Sequence, residues 1–284
     1  MPPSPDMGAA ILQSLLFPPV SVDRRALARA LEGKTVLVTG ASAGIGEQVA
    51  RLVAASGARV LLVARNAARL EALAAEIGAR SGSAQAFATD LNDPAQVERL
   101  ASQLPALAPD ILVSNAGKSI RRPLFDALDR FHDIGRTNGV NYLAPARLVL
   151  AAAPGLVARG GQVINVSAAN VLLPPAPYWG PYQASKSAFD QWLRCAAPEL
   201  RARGVAVSSL YLPLVRTAMI APTAIYDRVP AMSAEQAAVR IVAAMLSRRR
   251  RWMPWWLPPA RMAAALGGRA WEAWLDRQQR AALR

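Results

Sequence analysis

Short apolar runs alternate with amphipathic stretches along most of the chain. Residues 36–38 form a β-branched run that ends at Thr39, and similar runs recur at 59–63, 84–88, 111–113, 162–167 and 205–210. Between them the apolar positions follow a helical period, which predicts helices over 66–77, 94–104, 180–203 and 234–246, with long helical periods across 123–158. Strands that alternate with helices in this way build right-handed βαβ units, and runs with no polar alternation suit strands buried on both faces. The pattern therefore predicts an α/β fold of one domain, a doubly wound parallel sheet with helices on both faces. Ligands of such a sheet bind beyond the carboxyl ends of its strands, where Thr39, Arg65, Asp90 and Asn115 fall.

The pattern weakens at both ends. Residues 1–6 are proline-rich and predicted to be disordered, 8–17 to form a short amphipathic helix stopped by Pro18-Pro19, and 22–31 a second short helix. This divides the chain into an N-terminal extension (1–32), a central α/β domain (33–247) that holds every strand predicted above, and a basic tail (248–284).

The first strand runs into Thr39-Gly40-Ala41-Ser42-Ala43-Gly44-Ile45-Gly46, glycines at spacings that let a backbone turn tightly and approach a ligand. The helix after it aims its free N–H groups and the positive end of its dipole at that turn, so an anion belongs there. Further on, Tyr182 and Lys186 stand four residues apart and share one helix face. A cation held beside a phenol lowers a pKa of about 10 and equips it to hand a proton to a carbonyl oxygen.

Composition narrows the chemistry. One cysteine, Cys195, excludes an internal disulfide, and with one histidine, His132, a cysteine/histidine zinc site is implausible. Cys195 has no neighbouring base to activate it, and His132 reads as a helix-surface residue. No stretch reaches ~18 uninterrupted apolar residues, and the apolar run 7–17 lacks a basic leader, so a cytoplasmic protein is expected. Of the net charge of +14, +8 lies in residues 240–284, where ten arginines face Glu272 and Asp276 beside five of the seven tryptophans. Such a run reads as a solvated charged face beside an ordinary packed tail, or as arginine beside tryptophan suited to an anionic membrane surface at the inner face of the membrane or to an acidic partner such as an acyl carrier protein, and less well to nucleic acid.

Taken together, Thr39–Gly46, Asp90, Asn115-Ala116-Gly117, Asn141 and Tyr182 with Lys186 resemble, in order and separation, the motifs of the short-chain dehydrogenase/reductases. The resemblance spans residues 33–246 and implies a Rossmann-like fold, a nicotinamide dinucleotide cofactor and, in many relatives, a homo-oligomer. It implies that Tyr182 is the acid, that Lys186 binds the nicotinamide ribose, that Asn141 positions a relay water, that Asp90 contacts adenine and that Asn115 steadies the core beside the cofactor. The implied cofactor set is Gly40, Ser42, Gly44, Ile45, Gly46, Arg65, Asp90, Leu91, Asn115, Ala116, Gly117, Lys186, Pro213, Val215 and Thr217. At the end of the second strand Ala64 stands where an NAD site carries an acid, and Arg65 follows, which favours NADP(H).

Ser119-Ile120-Arg121-Arg122, Asp129 to Asp133 and Pro213 to Thr217 further resemble the bacterial fatty acyl-CoA reductases of this fold. That resemblance implies reduction of a long-chain acyl thioester to the aldehyde, with ketone reduction of a 3-oxoacyl substrate as the competing chemistry. The family's serine donor is the second of a Ser-Ser pair, and here the pair reads Ser167-Ala168. Ser167 is the remaining candidate, expected to need a local twist or a one-residue slip because successive strand residues face opposite sides; Asn170 and Tyr178 are alternative donors. Without any donor the chain would be a non-catalytic NADPH-binding protein.

Overall fold

The chain enters through two short helices, α1 (Met7–Leu16) and α2 (Arg24–Leu31), and then alternates. The order is β1 (Thr35–Thr39), α3 (Gly44–Ala54), β2 (Arg59–Ala64), α4 (Ala67–Ala79), β3 (Ser83–Ala88), α5 (Pro94–Leu107) and β4 (Ile111–Ser114). Then follow α6 (His132–Asn138), α7 (Ala144–Arg159), β5 (Gln162–Ala168), α8 (Gly180–Ala202), β6 (Ala206–Leu212), α9 (Ala234–Ser247), β7 (Arg251–Trp252) and α10 (Leu257–Ala282). The structure is a computed structural model that describes residues 7–221, 223, 225, 226 and 229–282; the stretch 1–6, expected to be disordered, lies outside the described residues.

All strand pairs are parallel, in the order β3-β2-β1-β4-β5-β6-β7. The chain winds outward from β1 to β3 and returns to β4 on the other side, opening a crevice at the carboxyl ends of β1 and β4. The pleat sorts each strand between two cores. Val36 and Val38 join α3, α4 and α9, whereas Leu37 faces α5, α7 and α8. Each such side chain, fully buried, contributes roughly 1.5–3 kcal/mol, which is why unbroken apolar runs form the sheet.

Local signals start the helices. Asp23, Asn66 and Asp93 accept first-turn N–H bonds of α2, α4 and α5, and Ser233 with Gln236 forms a capping box on α9. The helix after the glycine turn differs: Ala43 at its start offers no side-chain cap.

The structure departs from the sequence expectations at the tail, and it details them at the N-terminal extension and across 123–158. The sheet runs past residue 247, because Arg251 and Trp252 pair with Ser209 and Leu210 as a seventh strand, and Leu257 beyond it is fully buried. The tail then continues as a 26-residue helix. At the other end Phe17, Leu27 and Leu31 are core residues, and Trp255 Nε1 donates to the Leu15 carbonyl 2.9 Å away, so the two extensions meet on the body. The span 123–158 is not one helix: a 3₁₀ turn (Leu124–Asp126) precedes α6, and a π-helical turn (Gly139–Leu143) joins α6 to α7. Residues 132–159 are together long and apolar enough to cross a membrane, but Leu148, Val149, Ala152 and Leu156 are buried under the sheet, as in a core helix.

Candidate active site

The crevice is knitted at its floor by Thr39 and Asn115. Thr39 Oγ1 donates to the Val113 carbonyl and accepts from the N–H groups of Asn115 and Ala116, and Asn115 Nδ2 returns a 2.9 Å bond to the Thr39 carbonyl. Against this floor the glycines are required by space. A Cβ at Gly46 would collide with the Gly40 carbonyl, and one at Gly40 would come within 2.9 Å of Ala116 Cα, besides which Gly40 and Gly44 sit at φ of +70° and +59°. Thr217, from the loop after β6, packs over the turn, its Cγ2 being 3.1 Å from where a Gly44 Cβ would stand. With no side-chain cap on α3, the first-turn N–H groups remain for an anion. The turn fits a dinucleotide diphosphate on these observations.

Leu91, Thr39 and Ala116 line the inner crevice with Val140 and Pro145. Asp90 caps its own turn, accepting from the Asn92 N–H at 2.9 Å, and Val215 is buried in a bridge to Met232. Arg65 is exposed at the start of the β2–α4 loop. One cation escaped the sequence reading: Arg69, in the first turn of α4, lines the cleft beside Ser42 and Ala43. Its place in the first turn of the predicted 66–77 helix, four residues after Arg65, was the available signal.

Tyr182 and Lys186 lie in α8 beside the end of β5. The Lys186 ammonium is buried, donates to the Val166 carbonyl at 3.3 Å and is held down at about 8 by burial. Tyr182 departs from expectation. Burial, reinforced by Tyr226, pushes its phenol up to about 12, so desolvation outweighs any lowering by Lys186. Trp179 stands edge-on to Tyr182 with ring centres 6.0 Å apart and stacks on Tyr226 at 5.8 Å, forming an aromatic wall.

Asn141 sits in the π turn, where the Ala144 N–H reaches back to the Gly139 carbonyl. Its amide is fully engaged: Oδ1 accepts from the Lys118 N–H at 2.8 Å, and Nδ2 donates to the Lys118 carbonyl and to Ser185 Oγ. A water held by this residue would therefore use its main chain. Gly117 links the groups, since a Cβ there would touch Lys186 Nζ at 3.4 Å and Asn141 Oδ1 at 3.5 Å.

Ser167 needs no slip to face α8. It pairs in register with Tyr211, whose hydroxyl donates to Asp190 of α8, whereas Ala168 pairs with Leu212 of the opposite core. Ser167 is 4% exposed, and its buried hydroxyl has no partner, one peptide along from the carbonyl that Lys186 holds. Tyr178 gives its proton to Gln279 of α10 and is withdrawn as a donor. Asn170 stays beside the site, its carbonyl accepting from Gln183 and its buried Oδ1 unpartnered. His132 is exposed next to Asp133, and Cys195 is exposed on α8. Among the described residues no cluster of His, Cys, Asp and Glu suits a metal.

Doubly wound sheet, glycine turn and the Tyr182–Lys186 helix together describe a nicotinamide-type oxidoreductase site, and the chain belongs to the short chain dehydrogenase family, whose pattern it matches over residues 34–225. It is 45% identical to a fatty acyl-CoA reductase of Acinetobacter baylyi over 78% of this chain and 76% of that one. A fatty acyl-CoA reductase of Mycobacterium tuberculosis is 41% identical over 79% and 77%. Among solved structures, a short-chain dehydrogenase from Sphingobium yanoikuyae in complex with NADPH superposes with a TM-score of 0.72, at 28% identity over 88% of this chain and 95% of that one.

Proposed function

We propose that the protein reduces a long-chain acyl thioester to the aldehyde with NADPH, using residues 33–247 as its catalytic unit. The observation that carries this reading is the half-buried Tyr182 one helical turn from the buried Lys186 ammonium, which packs against Gly117 at the end of the crevice floor, in a chain 45% identical to a fatty acyl-CoA reductase. Gly40, Ser42, Gly44, Ile45 and Gly46 would hold the diphosphate, Arg65 and Arg69 the 2′-phosphate, and Asp90, Leu91, Asn115, Ala116, Gly117, Pro213, Val215 and Thr217 the rest of the cofactor. Bound there, the nicotinamide supplies the hydride.

The residues of the chain manage the oxygen and the proton. A phenol held near 12 remains an acid throughout the physiological range, which suits reduction: Tyr182 donates its proton to the oxygen of the reduced carbonyl. Lys186 orients the nicotinamide ribose and passes the replacement proton, with a water on the Asn141 main chain. Ser167, and beside it Asn170, would supply the hydrogen bond to the substrate oxygen that Ala168 lacks. The hemithioacetal then collapses, expelling the thiol with one proton and leaving the aldehyde. The aromatic wall of Trp179 and Tyr226 keeps water off the acyl carbon.

The reading extends to where the protein works. On α10, Met262, Leu266 and Trp274 are 67%, 86% and 46% exposed, with Arg269, Arg277 and Arg280 along the same helix. Such a face suits the anionic inner surface of a membrane, into which a long-chain aldehyde would partition, with an acyl carrier protein as the other acidic partner. A homo-oligomer would cover the exposed apolar residues of 124–150, among them Phe125, Phe131 and Leu150. The assay that tests the central reading follows NADPH oxidation with a long-chain acyl-CoA and with a 3-oxoacyl thioester. Aldehyde from the first supports it, and reduction of the ketone alone replaces it with a ketoreductase.

A further inference from the structure

The segment that leaves β4 after Gly117 carries cations that the hydride chemistry does not use. Lys118, Arg121, Arg122, Arg130 and Arg136 fall within nineteen residues. Three of them are committed to one buried carboxylate: Arg122 Nε lies 3.1 Å, Arg130 Nε 3.5 Å and Arg136 Nη1 3.6 Å from Asp133, with His132 at 3.4 Å. Asp133 is 5% exposed and is held below the usual carboxylate range by these neighbours against its burial. It fixes the arginines but supplies one negative charge among them. Asp126 and Asp129 are exposed in the same segment and appear in no ion pair among the described residues.

Arg121 and Lys118 have no carboxylate partner among the described residues, yet both are held in place. The Arg121 guanidinium lies over the Tyr178 ring, 4.9 Å from its centre, and the next N–H, that of Arg122, donates to the Tyr178 carbonyl at 2.8 Å. Tyr178 precedes Trp179, so Arg121 stands at the outer end of the aromatic wall whose inner end is Tyr182; its field also reaches Tyr226. The main chain of Lys118 is clamped on both sides by Asn141. Burial and the fields of Arg136 and Arg65 hold its ammonium below the ordinary range, Asp133 and Asp90 offsetting them only in part. A cation surrounded by cations at a site mouth is a place for a polyanion.

We propose that Lys118 and Arg121, backed by the Arg122–Arg130–Arg136 cluster on Asp133, bind the phosphates of coenzyme A at the mouth of the site, so that the thioester is recognised by its 3′-phospho-ADP handle. The proposal rests on the acyl thioester reading and deepens it. The pantetheine arm would run along the Tyr178–Trp179–Tyr226 wall, bringing the thioester to Tyr182. A guanidinium stacked on an aromatic ring presents its edge to phosphate, whereas an acidic protein surface needs a broad field and not one oriented fork.

Two measurements on the full chain test this and separate it from the reductase reading. The first is calorimetric titration of 3′,5′-ADP into protein saturated with NADP⁺, which keeps the probe out of the cofactor's own phosphate site. Binding by wild type that Arg121→Ala weakens roughly tenfold or more, with Arg121→Lys in between, is expected from the loss of a charged hydrogen bond. That result supports the rim even if no thioester is turned over. The second compares one acyl chain on coenzyme A, on pantetheine and on an acyl carrier protein. The expected result is a KM for wild type at least tenfold lower with acyl-CoA than with acyl-pantetheine, a gap that closes in Arg121→Ala and Lys118→Ala. NADPH binding by the same variants checks their folding. The rim is overturned if acyl-CoA is reduced while 3′,5′-ADP fails to bind wild type, if the gap persists in both variants, or if the carrier protein is the better substrate.

Discussion

At the scale of single residues, the proposed chemistry rests on two titratable groups displaced in opposite directions, the half-buried Tyr182 and the buried Lys186. Tyr182, pushed up to about 12, and Lys186, held down to about 8, imply that reduction loses rate as pH rises through about 8, because Lys186 and not Tyr182 loses its proton there. A pH–rate profile should be flat from 6 to 7.5 and fall above 8, and Lys186→Arg should move that limb upward; an unmoved limb would assign it elsewhere. The same burial costs stability. Between pH 8 and 10.5 the unfolded chain binds a proton that folded Lys186 does not, so stability rises through that window and the penalty is fully present at pH 7. Lys186→Met should therefore abolish turnover yet stabilise the fold at pH 7, by up to about 3 kcal/mol if the full shift is recovered; a lower Tm would contradict this. Tyr182→Phe should cost at least ~10² in kcat with NADPH binding kept. Ser167→Ala should lower kcat by ~10²–10³, and Ala168→Ser should not restore it.

At the scale of elements, a single arginine joins the ends of the chain to the body. Arg240, 3% exposed in α9, donates to the Pro18 carbonyl and to the Gln236 carbonyl and lies over the Trp252 ring at 5.3 Å. Arg240→Ala should destabilise by ~2–4 kcal/mol, by leaving the Pro18 carbonyl unpaired and opening a void. It should also raise amide exchange in α1 and β7 more than in β1; a uniform change would place the effect elsewhere. These end elements were the least legible in the sequence. β7 is two residues long, too short for any period, and α10 mixes tryptophan, alanine and arginine without one apolar stripe. Strands β1 to β6, by contrast, announced themselves through short apolar runs, and α4, α5, α8 and α9 through their helical period. The glycine turn and the Tyr182–Lys186 spacing were equally readable, because steric and helical rules act locally. The π turn at Asn141, the raised pKa of Tyr182, the facing of Ser167 and the place of Arg69 all depend on packing between distant segments, which spacing does not encode.

For the whole molecule, the two outward apolar surfaces make different predictions. Replacing Met262 and Leu266 together by glutamate should reduce flotation with anionic phospholipid vesicles and leave turnover of a soluble short-chain thioester intact; wild type that stays unbound would remove the membrane proposal. Phe125→Glu with Leu150→Glu should reduce the mass seen by light scattering if that face joins subunits, and an unchanged mass would assign it elsewhere. Both surfaces matter only if the candidate site reduces a thioester. The measurement that tests this most directly is NADPH oxidation with a long-chain acyl-CoA, with the product identified by mass spectrometry. The account predicts one aldehyde and one free coenzyme A per NADPH consumed, lost in Tyr182→Phe. NADPH that binds but is never oxidised by any acyl-CoA, or is oxidised only by 3-oxoacyl thioesters left intact at sulfur, would contradict it.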